Sequence, residues 1–165
     1  ETAQVAINAS LTGHLVFSTL YTNDAVTATT RLLDMGVEPF LVSSSLEAVA
    51  AQRLVRMICK RCGEEYEPEN PGQLPPDFEY QPGELLKRGV GCRDCRGTGY
   101  AGRRALFELL MMTDELREMV VQRKSASQLQ PVARAGGMRL LRDDGWLLVR
   151  QGITTPEEVL RVTKA

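Results

Sequence analysis

Four cysteines form the strongest chemical pattern in this sequence of 165 residues. They fall as two C-x-x-C pairs, CKRC and CRDC, and the candidate ligands are Cys59, Cys62, Cys92 and Cys95. Two-residue spacing lets both sulfurs of a turn face one tetrahedral ion, and two such turns complete a four-thiolate shell. Because no secretory signal is visible, a metal site is favoured over a disulfide framework, with redox thiols and an iron–sulfur cluster as alternatives. We expect structural Zn(II), whose closed shell leaves no position for a catalytic water.

The only histidine, His14, stands in the segment GHLVFSTLYTNDA, residues 13–25. By spacing alone it fits a strand entrance better than a catalytic site, since no nucleophile in a recognisable turn accompanies it. The phosphate-binding pattern G-x-x-x-x-G-K-[ST] does not occur, because none of the lysines follows a glycine. The segment GTGYAG, residues 97–102, matches G-x-G-x-x-G, but a cysteine pair precedes it, which favours a simple turn. We therefore expect no catalysis by this chain alone.

The composition is typical of a globular protein, with 43% hydrophobic and 25% charged residues and a formal net charge of −1. No apolar run is long enough to span a membrane. A nucleic-acid-binding zinc ribbon is an alternative, but the segment between the cysteine pairs is acidic and aromatic residues make up only 5% of the chain. We therefore expect neither a membrane span nor a nucleic-acid partner.

Helices and strands alternate in the predicted structure of the first third of the chain. The pattern predicts a helix over 2–10, a nearly continuous apolar strand HLVFSTL, a helix capped by TND and ended by Gly36, a helix PFLVSSSLEAVAAQ that begins at Pro39, and a strand RLVRMI. This order is typical of the later half of an α/β nucleotide-binding lobe.

The remainder is predicted to be a loop, a strand and a set of helices. The acidic segment between the cysteine pairs contains five prolines, which indicates an irregular loop with at most a short helix at GELLKR. RRALFELLMM is predicted to be a strand, and TDELREMVVQ a helix with acids in its first turn. SASQ and TPEE are predicted capping boxes at Ser125–Gln128 and Thr155–Glu158, the second with Pro156 as the first helical residue.

Taken together, these blocks resemble one family. ETAQVAINASLTGHLVFSTLYTNDA and its continuation to CKRCGEEY, the second cysteine pair, GYAGRRALFELL and GMRLLRDDGWLLVRQGITTPEEVLRV closely resemble the C-terminal portion of type II secretion and type IV pilus assembly ATPases. The resemblance covers essentially the whole chain. It implies an α/β fold with the later half of a RecA-like P-loop ATPase lobe at 1–57, an inserted tetracysteine zinc-binding subdomain at 58–102, and a return strand with a C-terminal helical subdomain at 103–165.

The resemblance also implies roles for single residues. His14 lies in what looks like the histidine box of these ATPases, where it would sense or orient the terminal phosphate as a hydrogen-bond donor rather than a base. Tyr21 stands where the family usually has a second histidine, so a two-histidine mechanism is not expected. The other nucleotide-binding candidates are Thr22, Asn23, Gln52 and Arg53.

By the same resemblance, the parent protein is a homo-hexameric ATPase that powers type II protein secretion or type IV pilus assembly and uses ATP and Mg(II). It would be cytoplasmic and peripheral on the inner membrane, through an inner-membrane platform protein and other cytoplasmic-membrane assembly proteins. Its Walker A loop and acidic Walker B box would precede residue 1, so this fragment alone should not hydrolyse ATP. The alternative is a zinc-stapled partner-docking module of a degenerate ATPase without turnover.

Overall fold

A computed structural model describes residues 2–163, in which helices and strands are mixed. In chain order the elements are α1 (Thr2–Leu11), α2 (Ala25–Asp34), α3 (Pro39–Ser45), β1 (Ala48–Ile58), β2 (Gly63–Tyr66), two short 3-10 helices (Pro71–Gln73 and Pro76–Phe78), β3 (Leu86–Gly89), β4 (Tyr100–Met111), α4 (Asp114–Val121), α5 (Ala126–Ala135), α6 (Leu141–Arg150) and α7 (Pro156–Thr163). Strand β1 pairs with β4, and β2 pairs antiparallel with β3.

The chain divides into two compact units. The first contains the residues up to Ala51 together with Glu108–Leu140, and the second contains Gln52–Phe107 and the residues from Leu141 onward. Helices α1 to α5 surround the core of the first unit, where Val26, Val42, Leu110, Val120 and Leu129 are buried. The core of the second unit contains residues from the segment between β2 and β3, from β3, and from α6 and α7. They are Phe78, Leu86, Trp146, Val149 and Val159. The predicted division at 1–57, 58–102 and 103–165 stays a prediction.

The helix boundaries of the first unit follow the predicted capping chemistry. Asp24 is the N-cap of α2, and its carboxylate accepts a hydrogen bond of 2.7 Å from the Thr27 backbone N–H. Gly36 ends that helix with a φ of +85°, which favours glycine. Pro39 is the first residue of α3, where its missing N–H costs no intrahelical hydrogen bond.

The predicted strand HLVFSTL is wrong. Residues 14–20 have no assigned helix or strand, and Leu15 and Phe17 are 83% and 89% exposed. A strand forms only where a neighbour satisfies its backbone N–H and C=O groups. No strand within residues 2–163 pairs with this segment, so its apolar side chains remain uncovered.

Two predicted helical segments are strands instead. The helix that begins at Pro39 ends at Ser45 rather than at Gln52, because Leu46 is extended and β1 starts at Ala48. GELLKR contributes to β3, where Leu86 lies opposite Tyr66 and is buried. In both places pairing with another strand outweighs the intrinsic helix preference of alanine, leucine and glutamate.

The predicted capping box is confirmed at the start of α5, and only one of its two hydrogen bonds forms at the start of α7. Ser125 and Gln128 form the reciprocal capping box at the start of α5. At the start of α7, the Thr155 hydroxyl accepts a hydrogen bond of 3.4 Å from the Glu158 backbone N–H. The Glu158 carboxylate, however, accepts hydrogen bonds from arginines, and this interaction organises the second unit.

Candidate functional site

The four cysteines lie in two turns at one end of the two-stranded sheet β2–β3. Cys59 and Cys62 form the turn between β1 and β2, and Cys92 and Cys95 form the turn that follows β3. Because β2 and β3 are antiparallel and Gly63 lies opposite Gly89, both turns meet at the same end of the sheet. The sulfur atoms all lie within 4.8 Å of one another, so the predicted four-cysteine cluster forms in the fold.

The sulfur geometry fits a tetrahedral thiolate shell. Cys59 Sγ lies 3.9 Å from Cys92 Sγ, Cys62 Sγ lies 3.8 Å from Cys95 Sγ, and the Sγ atoms of Cys92 and Cys95 are 3.7 Å apart. A zinc–sulfur bond of about 2.3 Å requires sulfur–sulfur separations of about 3.8 Å in a tetrahedron. These three separations match that value and the other sulfur pairs lie within 4.8 Å, so the cluster could hold a metal ion of this size.

Backbone amides support the second cysteine turn. The N–H groups of Cys92 and Gly99 each donate a hydrogen bond of 3.2 Å to the sulfur of Cys95. Although burial raises the pKa of the Cys95 thiol, these donors and the neighbouring thiols lower it to about 6. Burial raises the pKa of Cys62 to about 12, despite a hydrogen bond with the Gly91 backbone. The surroundings of Cys95 thus favour the thiolate, which is the form of cysteine that binds a metal cation.

The backbone approaches itself closely beside the cluster. A Cβ atom at Gly89 would lie 2.0 Å from the carbonyl oxygen of Gly99, and a Cβ atom at Gly91 would lie 2.8 Å from that of Gly97. The Gly99 carbonyl also accepts a hydrogen bond of 2.9 Å from the Cys59 N–H. The first three residues of GTGYAG form the glycine-rich turn that leaves the second cysteine pair, as predicted, and its last three residues begin β4.

Cationic side chains surround the cysteine turns. Lys60, Arg61, Arg93 and Arg96 are all exposed. Arg61 forms an ion pair of 3.3 Å with Asp94, and both side chains are largely exposed, so the pair contributes little to stability. Four thiolates around a divalent cation carry a formal charge of about −2, which these cations offset.

His14 lies just after the end of α1, and a backbone hydrogen bond connects it to that helix. Gly13 has a φ of +89°, and the His14 backbone N–H donates a hydrogen bond of 3.2 Å to the Ala9 carbonyl. Its ring Nδ1 lies 3.0 Å from the Thr12 hydroxyl oxygen, and the side chain is exposed. The ring is therefore held on one side and accessible on the other.

The other nucleotide-binding candidates divide between the two units. Thr22 and Asn23 lie in the first unit beside His14's segment, and the Thr22 hydroxyl donates a hydrogen bond of 3.2 Å to the Asp24 carbonyl. Tyr21, next to them, is fully exposed. Gln52 and Arg53 lie on β1 in the second unit, where Arg53 donates a hydrogen bond of 3.2 Å to the Gln52 carbonyl. Their grouping around a nucleotide stays a prediction.

Sequence reasoning missed an ionic network around the buried Glu158 in the second unit. The Glu158 side chain is 2% exposed and accepts hydrogen bonds of 2.6 and 2.8 Å from Arg56 and Arg161. Burial alone raises the pKa of this carboxyl, but the two arginines and the Arg56 backbone N–H lower it to about 2. Arg56 also stacks 4.2 Å from the ring of Tyr100, whose hydroxyl hydrogen-bonds Thr155 at 2.9 Å. This network ties α7 to β1 and β4.

A second buried acid, Glu108, was also missed. Its carboxylate accepts a hydrogen bond of 2.8 Å from the Ala25 N–H, the first residue of α2. The sequence offered one sign of this buried acid, because Glu108 interrupts the apolar run ALFELLMM. Side chains alternate along a strand, so Glu108 lies on the same face as the buried Leu106 and Leu110. Together with Asp24 it occupies N–H groups at the start of α2.

Within the described residues, no helix has the length and apolar character needed to cross a membrane.

Comparison with known proteins places the whole chain in one group. The profile of the family described as Type II/IV secretion system protein matches residues 1–161. The chain is 50% identical over 164 residues to the type II secretion system ATPase E of Vibrio cholerae, covering 99% of this chain and 32% of that protein. It is 50% identical over 167 residues to the type IV pilus assembly ATPase PilB of Thermus thermophilus, covering 99% of this chain and 19% of that protein. The chain thus spans a third or less of the length of these relatives.

A solved structure shares the fold. The crystal structure of the pilus retraction motor PilT with bound ADP superimposes with a TM-score of 0.64 at 22% identity, covering 99% of this chain and 36% of that one. This similarity confirms the predicted α/β, RecA-like fold class, and the chain also contains a four-cysteine cluster and C-terminal helices.

Proposed function

Since this chain belongs to the Type II/IV secretion system protein family, we propose that it is the C-terminal segment of a hexameric ATPase that powers type II protein secretion or type IV pilus assembly. One observation carries the proposal: 99% of the chain aligns at 50% identity with an ATPase named for each process. In this proposal the full-length protein is cytoplasmic and reaches the inner membrane through a platform protein and other assembly proteins.

His14 supplies the nucleotide-facing chemistry of the segment in this proposal. It is the only histidine, it is exposed, and its ring is held from one side by Thr12. Phosphoryl transfer to water depends mainly on positioning and charge stabilisation, so a held ring beside the terminal phosphate can link hydrolysis to movement. Thr22 and Asn23 belong to the same segment, just before α2, and Gln52 and Arg53 on β1 are the remaining nucleotide-binding candidates.

The coding sequence upstream of residue 1 tests this proposal. We expect it to encode a G-x-x-x-x-G-K-[ST] loop followed by an acidic box that continues into ETAQ, because ATP hydrolysis needs groups that bind phosphate and Mg(II). If that loop is missing or lacks its lysine, the ATPase proposal fails. The chain would then be a zinc-stapled module that docks partners without turnover.

We further propose that the four-cysteine cluster holds one structural Zn(II). Four thiolates at tetrahedral spacing favour zinc among the common biological cations and leave no open position for catalysis. The ion would join the turn before β2 to the turn after β3, at the end of the sheet opposite the loop that connects these strands.

Metal analysis of the purified 165-residue chain tests the zinc site. We expect about one zinc per chain, and loss of that zinc in Cys92→Ser, because three thiolates and a hydroxyl bind zinc far more weakly. Thr98→Ser, beside the cluster, is the matched control that removes no sulfur. Iron in place of zinc, or full zinc retention by Cys92→Ser, would contradict the assignment.

A further inference from the structure

The four cysteines of the cluster differ in their access to solvent. Cys59 and Cys95 are only 2% and 6% exposed, whereas Cys62 and Cys92 are partly exposed. Each of the two turns therefore contains one buried cysteine and one that a small solute can reach. Oxidation of a cysteine requires access to its sulfur as well as thiolate character, so an oxidant in solution meets Cys62 and Cys92 first.

The sulfur contacts connect the two turns in a definite pattern. Within the described residues, three sulfur–sulfur contacts have hydrogen-bond geometry: Cys59 with Cys92 at 3.9 Å, Cys62 with Cys95 at 3.8 Å, and Cys92 with Cys95 at 3.7 Å. Only one division of the four sulfurs into two pairs uses these contacts for both pairs. It joins Cys59 to Cys92 and Cys62 to Cys95. Each of these pairs spans the two turns and combines a buried cysteine with a partly exposed one.

Backbone hydrogen bonds also hold the two turns together. The Val90 N–H donates a hydrogen bond of 3.1 Å to the Cys62 carbonyl, and the Cys59 N–H donates one of 2.9 Å to the Gly99 carbonyl. These bonds do not involve the sulfurs, so they keep the turns close to one another when an ion leaves. A disulfide needs a sulfur–sulfur distance of about 2.05 Å, so each sulfur of a pair that spans the turns would move by about 1 Å.

We propose that the four-cysteine site is a redox switch, in which hydrogen peroxide releases the zinc and converts the cluster into the disulfides Cys59–Cys92 and Cys62–Cys95. The inference rests on the proposed zinc site, because zinc binding keeps all four sulfurs as thiolates, the nucleophilic form of cysteine. The disulfides join the same two turns that the ion joined. They carry no charge, so oxidation removes the formal charge of about −2 that the surrounding cations offset.

The reaction balances with two molecules of hydrogen peroxide per cluster. The thiolate of Cys62 or Cys92 attacks one peroxide oxygen, the O–O bond breaks, and the sulfur becomes a sulfenic acid as hydroxide leaves. The buried thiolate of the opposite turn then attacks that sulfur, forms the S–S bond and displaces a second hydroxide. Each peroxide therefore takes two electrons from one pair. The four thiolates end as two disulfides, with four hydroxide ions and one Zn(II) ion released.

Peroxide treatment of the zinc-loaded 165-residue chain tests the proposal, because the chain has only these four cysteines. Trypsin cleaves after lysine and arginine, which occur between every two successive cysteines, so each cysteine falls on its own peptide. We expect release of one zinc per chain, measured with a colour-forming chelator. Mass spectra without reduction should show the peptide of Cys59 joined to that of Cys92, and the peptide of Cys62 joined to that of Cys95. Dithiothreitol with added Zn(II) should restore the zinc-bound thiols.

The control replaces peroxide by a chelator under nitrogen. It should remove the zinc and leave four free thiols, so that any disulfide is attributable to oxidation. Dimedone, which traps sulfenic acids, should label Cys62 and Cys92 in preference to the buried cysteines during a brief peroxide exposure, and the reverse preference would contradict the order of attack.

Disulfides within the turns, Cys59–Cys62 and Cys92–Cys95, would overturn the proposed pairing. Zinc that stays bound under excess peroxide, with four thiols intact, would overturn the switch itself. A purified chain without zinc would overturn the zinc proposal, whereas the peptide map tests the disulfide pairing in either case.

Discussion

Replacing Glu158 by glutamine removes the charge at the centre of the ionic network in the second unit. The carboxyl is 2% exposed, and its pKa falls from an ordinary 4.5 to about 2 because Arg56 and Arg161 bind the ionised form. Each pKa unit corresponds to about 1.4 kcal/mol, so the ionised group contributes about 3 kcal/mol to the free energy of unfolding at neutral pH. Glu158→Gln should therefore destabilise the second unit by about 3 kcal/mol. This figure is an upper value, because the Arg56 and Arg161 side chains are 46% and 53% exposed and solvent screens their charges.

Urea unfolding followed by tryptophan fluorescence measures this loss, because Trp146 is the only tryptophan and lies in the core of the second unit. Glu157→Gln is the matched control: it removes the same charge from the first turn of α7 at an exposed position. It should cost no more than about 0.5 kcal/mol. If both variants have the same stability, the arginines do not stabilise the Glu158 carboxylate and the account of this network is wrong.

Three further predictions concern the second unit. The ionised Glu158 contributes its full stabilisation above pH 4.5 and loses it as the pH falls through about 2. The difference in free energy of unfolding between the unmodified chain and Glu158→Gln should therefore become smaller as the pH is lowered over this range. A difference that stays constant would contradict this. Gly89→Ala should cost about 2–3 kcal/mol, because its Cβ would lie 2.0 Å from the Gly99 oxygen, whereas Gly72→Ala, with open space around it, should be nearly neutral in the same urea assay. If the proposed zinc is bound, its removal by a chelator should shift Trp146 emission to longer wavelength. The reason is that the indole N–H donates a hydrogen bond of 3.0 Å to Asp77, which lies in the segment between the two cysteine pairs. Loss of zinc with unchanged emission would show that the metal does not hold this segment.

The four-cysteine cluster could be predicted from sequence because its geometry is local. Two residues between cysteines determine each turn, and the antiparallel β2–β3 sheet brings the turns together. Helix starts at Asp24, Pro39 and Ser125 were predictable for the same reason, since caps depend on the nearest few residues.

The errors occur where distant partners decide the local structure. HLVFSTL has the composition of a buried strand, but it has no pairing partner among the described residues. The residues after Ser45 favour a helix, and pairing of β1 with β4 makes them a strand. The two buried acids, Glu108 and Glu158, bind groups 83 and 102 residues away, which no short pattern can reveal.

ATP hydrolysis by the full-length protein tests the central claim most directly. We predict Mg(II)-dependent release of phosphate by the full-length protein, a loss of at least about tenfold in kcat for His14→Ala, and no hydrolysis by the 165-residue chain alone. Full activity in His14→Ala would remove the histidine segment from the reaction. A full-length protein that folds and hydrolyses no ATP would contradict the motor assignment.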